Sequence, residues 1–373
     1  MPIATQALIL AAGSAQRLLP LTEGRPKGML LVGGRPLLHH MVLALAELGV
    51  KDIILVTGRH GEKIQSFFQD GSAFGVKVHY VNQAEPTGTM AAIRLALPDV
   101  DLKRPLWIMP GHAYVTADLL RPAAKPGTTL LVASAGDDHV QGVPVVRGER
   151  LQGMRHEQPV VGSTRVTTNI LHAGPDLLAA LAAGRLAEHK DLDLALGEWA
   201  SEGASVRTVA ADGPWHVLVD PWDVLRLNEW VLGKGVADPT KKLRNARGVV
   251  HVGLDSVIAP TAVLIGPVTI GDGCTVEDHC VIGPFVSVRN GTIIGAHSEV
   301  RRSILNNNVQ VGSGAYLRGS ILDDGVSVGP RFVCDETPTP DGPRGCILGR
   351  DSSLPARTTL AGATVLPAES LGP

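Results

Sequence analysis

Up to about residue 230, apolar runs of strand length alternate with longer stretches of helical periodicity. In order they are QALILAA from Gln6, LLHHMVLALAELG from Leu37, DIILVTG from Asp52, GEKIQSFFQDG from Gly61, VKVHYVN from Val76, TMAAIRLAL from Thr89 and PLWIMPG from Pro105. Such alternation predicts βαβ units, hence an α/β domain with a mostly parallel sheet covered by helices on both faces. Ligands of sheets of this kind sit at the carboxyl ends of the strands. The polar punctuation falls along that edge: AAGSAQR after the first strand, the PGHAY turn, and the Pro221-Trp222-Asp223 corner.

The last third follows a different rhythm, with a branched aliphatic at every sixth residue: Ile258, Leu264, Ile270, Val276, Ile282, Val288, Ile294 and Val300. After a one-residue slip near Asn306-Asn307-Asn308 the pattern resumes at Leu305, Val311 and Leu317. A repeat this short predicts a β-solenoid in which each coil buries its aliphatics against the coils above and below. The polar, breaker-rich run GKGVADPTKKLRNARG separates the two rhythms, so the expected organisation is an α/β domain over 1–232, a linker over 233–248 and a solenoid over 249–373.

Two domains suit a chain of 373 residues, each long enough to bury its own core. The 34 basic residues nearly balance the 36 acidic ones, and no basic run interleaves with aromatics, which argues against a nucleic-acid partner. The start lacks the basic segment and cleavage site of a signal peptide, and no apolar stretch is long enough to span a membrane. A cytoplasmic location is therefore expected, with Cys274, Cys280, Cys334 and Cys346 as reduced thiols. A metal shared by Cys334 and Cys346 is a weaker reading than a plain loop.

The densest chemistry lies between Leu10 and Leu38, LAAGSAQRLLPLTEGRPKGMLLVGGRPLL. Small residues after a strand let backbone N–H groups approach an anionic polyphosphate, and Arg17 and Lys27 bring positive charge to the same stretch. Alone, such a loop reads equally well as a turn with surface cations. Further pieces follow it: QAEPTGT from Gln83, Pro110-Gly111-His112, Glu157-Gln158-Pro159, and Trp215 through Asp223. Together they resemble the motifs of nucleoside-triphosphate:sugar-1-phosphate nucleotidyltransferases, G-x-G-T-R-L-x-P-L-T…P-K, Q-x-x-P-x-G-T, G-D, E-K-P and W…P-x-D, in that family's order. The six-residue repeat likewise resembles the hexapeptide family, which implies a left-handed parallel β-helix.

The resemblance implies that a sugar-1-phosphate oxygen attacks the α-phosphorus of a nucleotide and expels pyrophosphate, a reaction driven by positioning and charge neutralisation. Arg17 and Lys27 would then hold the triphosphate. Leu10, Ala12, Gly13, Ser14, Ala15, Gln16, Gln83, Pro86, Gly88 and Thr89 would bind the nucleotide. A glutamine amide at Gln83 suits a uracil or thymine edge, so UTP or dTTP is favoured. Gly111, Glu157 and Asn169 would line the sugar pocket, and the cofactor would be Mg²⁺.

The sequence also departs from the family pattern. Ala15 and Gln16 replace the second glycine and the threonine of the loop, and Gln158 replaces a lysine. His112 and Val217 stand where two carboxylates for Mg²⁺ are expected, and a hard cation prefers carboxylate oxygen. His112 and Asp220 are the remaining metal candidates, with Asp223 read as a helix N-cap. Two functions follow: a working nucleotidyltransferase, or a relative that binds nucleotide-sugar as a regulatory subunit. Acetyl transfer by the β-helix ranks below both, because His251, His279 and His297 fall in or near its turns without a recognisable acetyltransferase pattern. The β-helix is expected to carry a homo-oligomer contact.

Overall fold

The computed structural model describes residues 5–134, 142–155, 165–211, 215–234, 245–340 and 342–370. It separates into two compact units. One holds residues up to 15, 25–29 and 37–217; the other holds 16–24, 30–36 and 218 onward.

The first unit is built on nine strands: β1 (Gln6–Leu10), β2 (Asp52–Thr57), β3 (Lys77–Asn82), β4 (Leu106–Pro110), β5 (Thr128–Ser134), β6 (Val143–Arg147), β7 (Arg150–Arg155), β8 (Arg165–Ala173) and β9 (Val206–Ala210). Their order is β3-β2-β1-β4-β8-β5-β9-β7-β6. The first four lie parallel, as the βαβ alternation predicts. Beyond β4, strand β8 runs antiparallel to both its neighbours, and only β9 on β5 is again parallel. Successive residues of β1 face opposite layers. Ala7 and Ile9 pack with Met41, Leu45, Phe68 and Trp107, whereas Leu8 packs with Ile93, Ile108, Leu177 and Leu196. That two-residue period is why the strand reads as a continuous apolar run.

The chain leaves β1 toward β2 on one side and pairs with β4 on the other, so a switch point opens beyond Leu10 and Pro110, which lie opposite each other in register. Crevices of this kind are where open α/β sheets bind ligands.

The second unit contains three parallel sheets of seven, seven and six short strands, the triangular coil of the left-handed β-helix that the hexapeptide resemblance implies. Leu264, Ile270, Val276, Ile282, Val288, Ile294 and Val300 are all buried in one core, with Ile258 partly buried at its first coil. Ile282 pairs with Val300, 18 residues on, but Val288 pairs with Leu305, 17 on. The slip therefore lies between Val300 and Leu305, just before the asparagines. Non-glycine residues take the left-handed conformation at successive corners, including His279 and His297 at φ 60° and 61°. Both are exposed, and their rings stack 5.0 Å apart.

Two expectations are corrected in this unit. Cys334 and Cys346 form a disulfide, Cα to Cα 6.2 Å, where free thiols were expected. The intervening excursion folds back through paired backbone of Thr337 and Arg344, which brings two fully buried sulfurs together. Cys274 and Cys280 remain buried thiols, and burial pushes both above the ordinary thiol range, as suits packing rather than reactivity.

The second correction concerns the aspartates at the start of the helix Pro221–Gly233. Asp220, not Asp223, is its N-cap. Asp220 Oδ1 accepts from the backbone N–H groups of Trp222 at 2.7 Å and Asp223 at 3.0 Å, while Asp223 Oδ2 accepts from those of Val219 and Asp220, each at 2.8 Å. This reciprocal capping box spends the carboxylate that had been a metal candidate. The same helix joins the β-helix unit through its buried Asn228, whose Oδ1 accepts from Gly33 N at 2.9 Å and Ser287 Oγ at 2.7 Å. Most of the expected linker, 235–244, lies outside the described residues.

Candidate active site

Beyond the switch point lies a cavity of about 570 Å³, a size typical of small-molecule sites. Leu10, Ala12, Gly13, Ser14 and Lys27 form one part of its lining, and Pro110 and His112 adjoin them. Ala11 N donates to Val56 O and Gly111 N to Leu10 O, each at 2.8 Å. These bonds fix the turn after β1 against both neighbouring strands. Lys27 begins a short 3-10 turn held close by Gly28, where a β-carbon would lie 2.6 Å from the Gly111 oxygen. The Lys27 ammonium in consequence reaches over the loop: a β-carbon on Gly13 would be 3.7 Å from Nζ. Exposed glycine backbone beside a lysine ammonium is chemically suited to an anion.

Gln83, Pro86, Gly88 and Thr89 line a second wall. Gln83 is buried, with Nε2 3.4 Å from Thr87 Oγ1, so its amide is held at the cavity edge. Gly88 stands at φ 114°, and a β-carbon there would meet Lys190 Cγ at 2.6 Å and the Lys190 oxygen at 2.7 Å. Thr89 Oγ1 accepts from Leu192 N at 2.9 Å, and Met90 N donates to Lys190 O at 3.1 Å. The start of the helix Thr89–Ala96 is thereby clamped to the segment before the helix Leu192–Ser201. Replacing Gly88 by alanine strains φ and strikes backbone, so we expect a stability loss of about 1–3 kcal/mol and at least tenfold weaker nucleotide binding. Thermal melting and calorimetric titration of Gly88→Ala check both.

Asn169 lines the far side from within β8. The pairing of β8 with β5 shifts register between Thr167 and Leu171, and Asn169 occupies the bulge at φ 56°, a conformation asparagine tolerates better than most residues. Its N–H is satisfied by Thr167 Oγ1 at 3.0 Å. The bulge turns the strand at the cavity, as bulges next to functional sites do.

The structure therefore brings together Leu10, Ala12, Gly13, Ser14, Lys27, Gln83, Pro86, Gly88, Thr89, His112 and Asn169. Ala15, Gln16 and Arg17 are not among the lining residues, and Arg17 is exposed in the turn Gln16–Leu18. Gly111 supports the loop from behind, and Glu157 lies outside the described residues. Sequence reasoning missed Gly142, Asp191 and Asp193, which also line the cavity. The one available signal was the pair of acidic residues opening an apolar helix in KDLDLAL.

His112 and Val217, where the family resemblance implies metal carboxylates, lie near each other. Val217 pairs with Ala113, the neighbour of His112, in a two-stranded ribbon, and Val217 packs partly buried against the apolar core. A valine supplies no ligand, and Asp220 is engaged as a helix cap. Among the described residues no three His, Cys, Asp or Glu side chains are grouped to hold a metal ion. The residues present thus do not fit Mg²⁺ at this place.

With the geometry in hand, comparison with known proteins places the chain. The family model for nucleotidyl transferases matches residues 6–130, and that for the GMPPB C-terminal domain matches residues 264–372. A glucose-1-phosphate thymidylyltransferase of Streptomyces antibioticus is 26% identical over 82% of this chain and 93% of its own. A mannose-1-phosphate guanylyltransferase of Mycobacterium tuberculosis is 27% identical over 77% and 82%. The bifunctional protein GlmU of Stenotrophomonas maltophilia is 30% identical over 82% of this chain and 70% of its own. Matched along both units by relatives of this kind, the chain belongs to the sugar-1-phosphate nucleotidyltransferases.

Proposed function

We propose that the cavity takes a nucleoside triphosphate, UTP or dTTP by preference, beside a sugar-1-phosphate, and that the chain is a nucleotidyltransferase slowed by its altered metal positions. The observation that carries this is the Lys27 ammonium over the Gly13 backbone at the carboxyl edge of the switch point. In the reaction, a phosphate oxygen of the sugar-1-phosphate forms a bond to the α-phosphorus. The bond from that phosphorus to the β-phosphate bridging oxygen breaks, and pyrophosphate leaves with the electron pair. Lys27 neutralises charge on the triphosphate, and the loop positions it; positioning and charge account for most catalysis of this kind. Magnesium in this family would share that neutralisation. The buried Gln83 amide supports a pyrimidine, since it both donates and accepts, although relatives named for thymidylyl and guanylyl transfer match comparably well.

A second reading, binding of nucleotide-sugar without turnover as a regulatory subunit, is favoured by Val217 and by the capped Asp220. Pyrophosphate release with UTP, dTTP, CTP and GTP against glucose-1-phosphate and mannose-1-phosphate, in Mg²⁺ or Mn²⁺, separates the two. Turnover supports transfer; saturable binding without turnover supports the second reading; neither binding nor turnover overturns both. Self-association through the β-helix is part of the same proposal. Its support is a pair of exposed aliphatics on one sheet of the β-helix, Val257 at 64% and Ile293 at 41% exposure.

A further inference from the structure

The cavity is electrically two-sided. Lys27 and the Gly13 loop form a cationic end, whereas Asp191 and Asp193 put two carboxylates into the lining elsewhere. We infer that Asp191 sets which sugars this cavity accepts: its carboxylate receives hydroxyl or ammonium groups of the sugar ring and turns away a sugar bearing a carboxylate of its own. This rests on the nucleotide-sugar reading above and adds a residue and a substrate class to it.

Asp191 occupies the N-cap of the helix Leu192–Ser201, a position where an aspartate ordinarily accepts from the helix's first N–H groups. Here the side chain makes no such bond. Its carboxylate is therefore not spent on its own helix, and Asp191 lines the cavity half-buried. The segment is held in place independently: Lys190 O takes Met90 N, and Leu192 N donates to Thr89 Oγ1. Asp191 thus sits on backbone anchored on both sides without help from its side chain.

Asp193, two residues on, is buried and accepts from Leu194 N at 2.9 Å through Oδ1. Its other oxygen lies against Gly142, where a β-carbon would come within 2.6 Å. Gly142 and Asn169 line the cavity as well, and among its described lining residues Lys27 is the one lysine or arginine. Lys190 is not among the lining residues. A polyhydroxylated ring supplies donors to such a surface, whereas a uronic acid brings a third negative charge into a partly buried space, where like charges repel strongly.

The test is titration calorimetry with UDP-glucose against UDP-glucuronate and GDP-mannose against GDP-mannuronate, with free UDP and GDP alongside. For a base that binds, the neutral-sugar member is expected to bind the wild-type chain at least tenfold more tightly than the uronate. Asp191→Asn, an isosteric change at a half-exposed position, is expected to reduce that ratio to threefold or less. Asp193→Asn, checked by thermal melting because the site is buried, is expected to move the ratio in the same direction. Equal affinities in the wild type, or a ratio unchanged by Asp191→Asn, overturn the inference while nucleotide binding stands. No uptake of free UDP or GDP overturns the nucleotide reading beneath it as well.

Discussion

Lys27→Ala is expected to weaken binding of UTP or dTTP about a hundredfold, roughly 2.8 kcal/mol at 1.4 kcal/mol per decade, and to reduce any pyrophosphate release to background. The lysine is half-buried beside Gly13, where charge-assisted contacts with phosphate are stronger than at an exposed surface. A melting transition that stays cooperative in this variant would show that the loss is one of binding and not of folding. Arg17→Ala provides the contrast. Arg17 is exposed and outside the cavity lining, and its removal is expected to change affinity less than tenfold. Equal losses for the two variants would show that both cations meet the triphosphate.

The second large effect is a gain. Restoring carboxylates in His112→Asp combined with Val217→Asp is expected to raise Mg²⁺-dependent transfer at least a hundredfold over the wild type. A well-placed charge contact stabilises a transition state by on the order of 3 kcal/mol. Val217 pairs with Ala113, and His112 is the residue just before that strand, so the two positions lie one residue out of register. Val217→Asp also replaces a partly buried apolar side chain and should cost about 1–3 kcal/mol of stability when the metal is absent. Mg²⁺ should recover that loss, measured as a melting temperature that rises with the ion only in the double variant. An unchanged rate together with an Mg²⁺-insensitive melt would show that the metal of this chain does not act at 112 and 217.

Features written as periodic patterns were legible in the sequence. The six-residue aliphatic step predicts the buried series from Leu264 to Val300, because one inward residue per strand suffices to define a coil. Likewise, strand-helix alternation predicts the parallel half of the sheet, and the small residues after β1 fall where the chain turns at the cavity. What escaped were contacts between residues far apart in sequence with no periodic trace. The alliance of the helix Pro221–Gly233 with the β-helix runs through the buried Asn228 with its partners Gly33 and Ser287, and through Glu229, which pairs with Arg302. Nothing in the hydropathy of that helix says which body it joins. The pairing of Cys334 with Cys346 depends on how the excursion doubles back at Thr337 and Arg344, which spacing alone leaves open.

Asp220 and Asp223 show a related limit. Both precede or open one helix, and either sequence position suits a cap. Only the two sets of backbone bonds decide that Asp220 caps and Asp223 answers from the third helical position. The cavity wall carrying Asp191 and Asp193 was missed for a different reason. Phosphate-binding loops advertise themselves through clustered glycine and cation, whereas acceptors for a hydroxylated ring are single acidic side chains, and an aspartate before a helix usually signals capping alone.

Titration of the wild-type chain with nucleoside triphosphates and nucleotide-sugars, followed by calorimetry, most directly tests whether the turn after β1 and Lys27 receive a polyphosphate. Saturable uptake at one site per chain of at least one of them is predicted, weakening as salt screens the lysine. Flat heats across UTP, dTTP, CTP, GTP, UDP-glucose and GDP-mannose would contradict it.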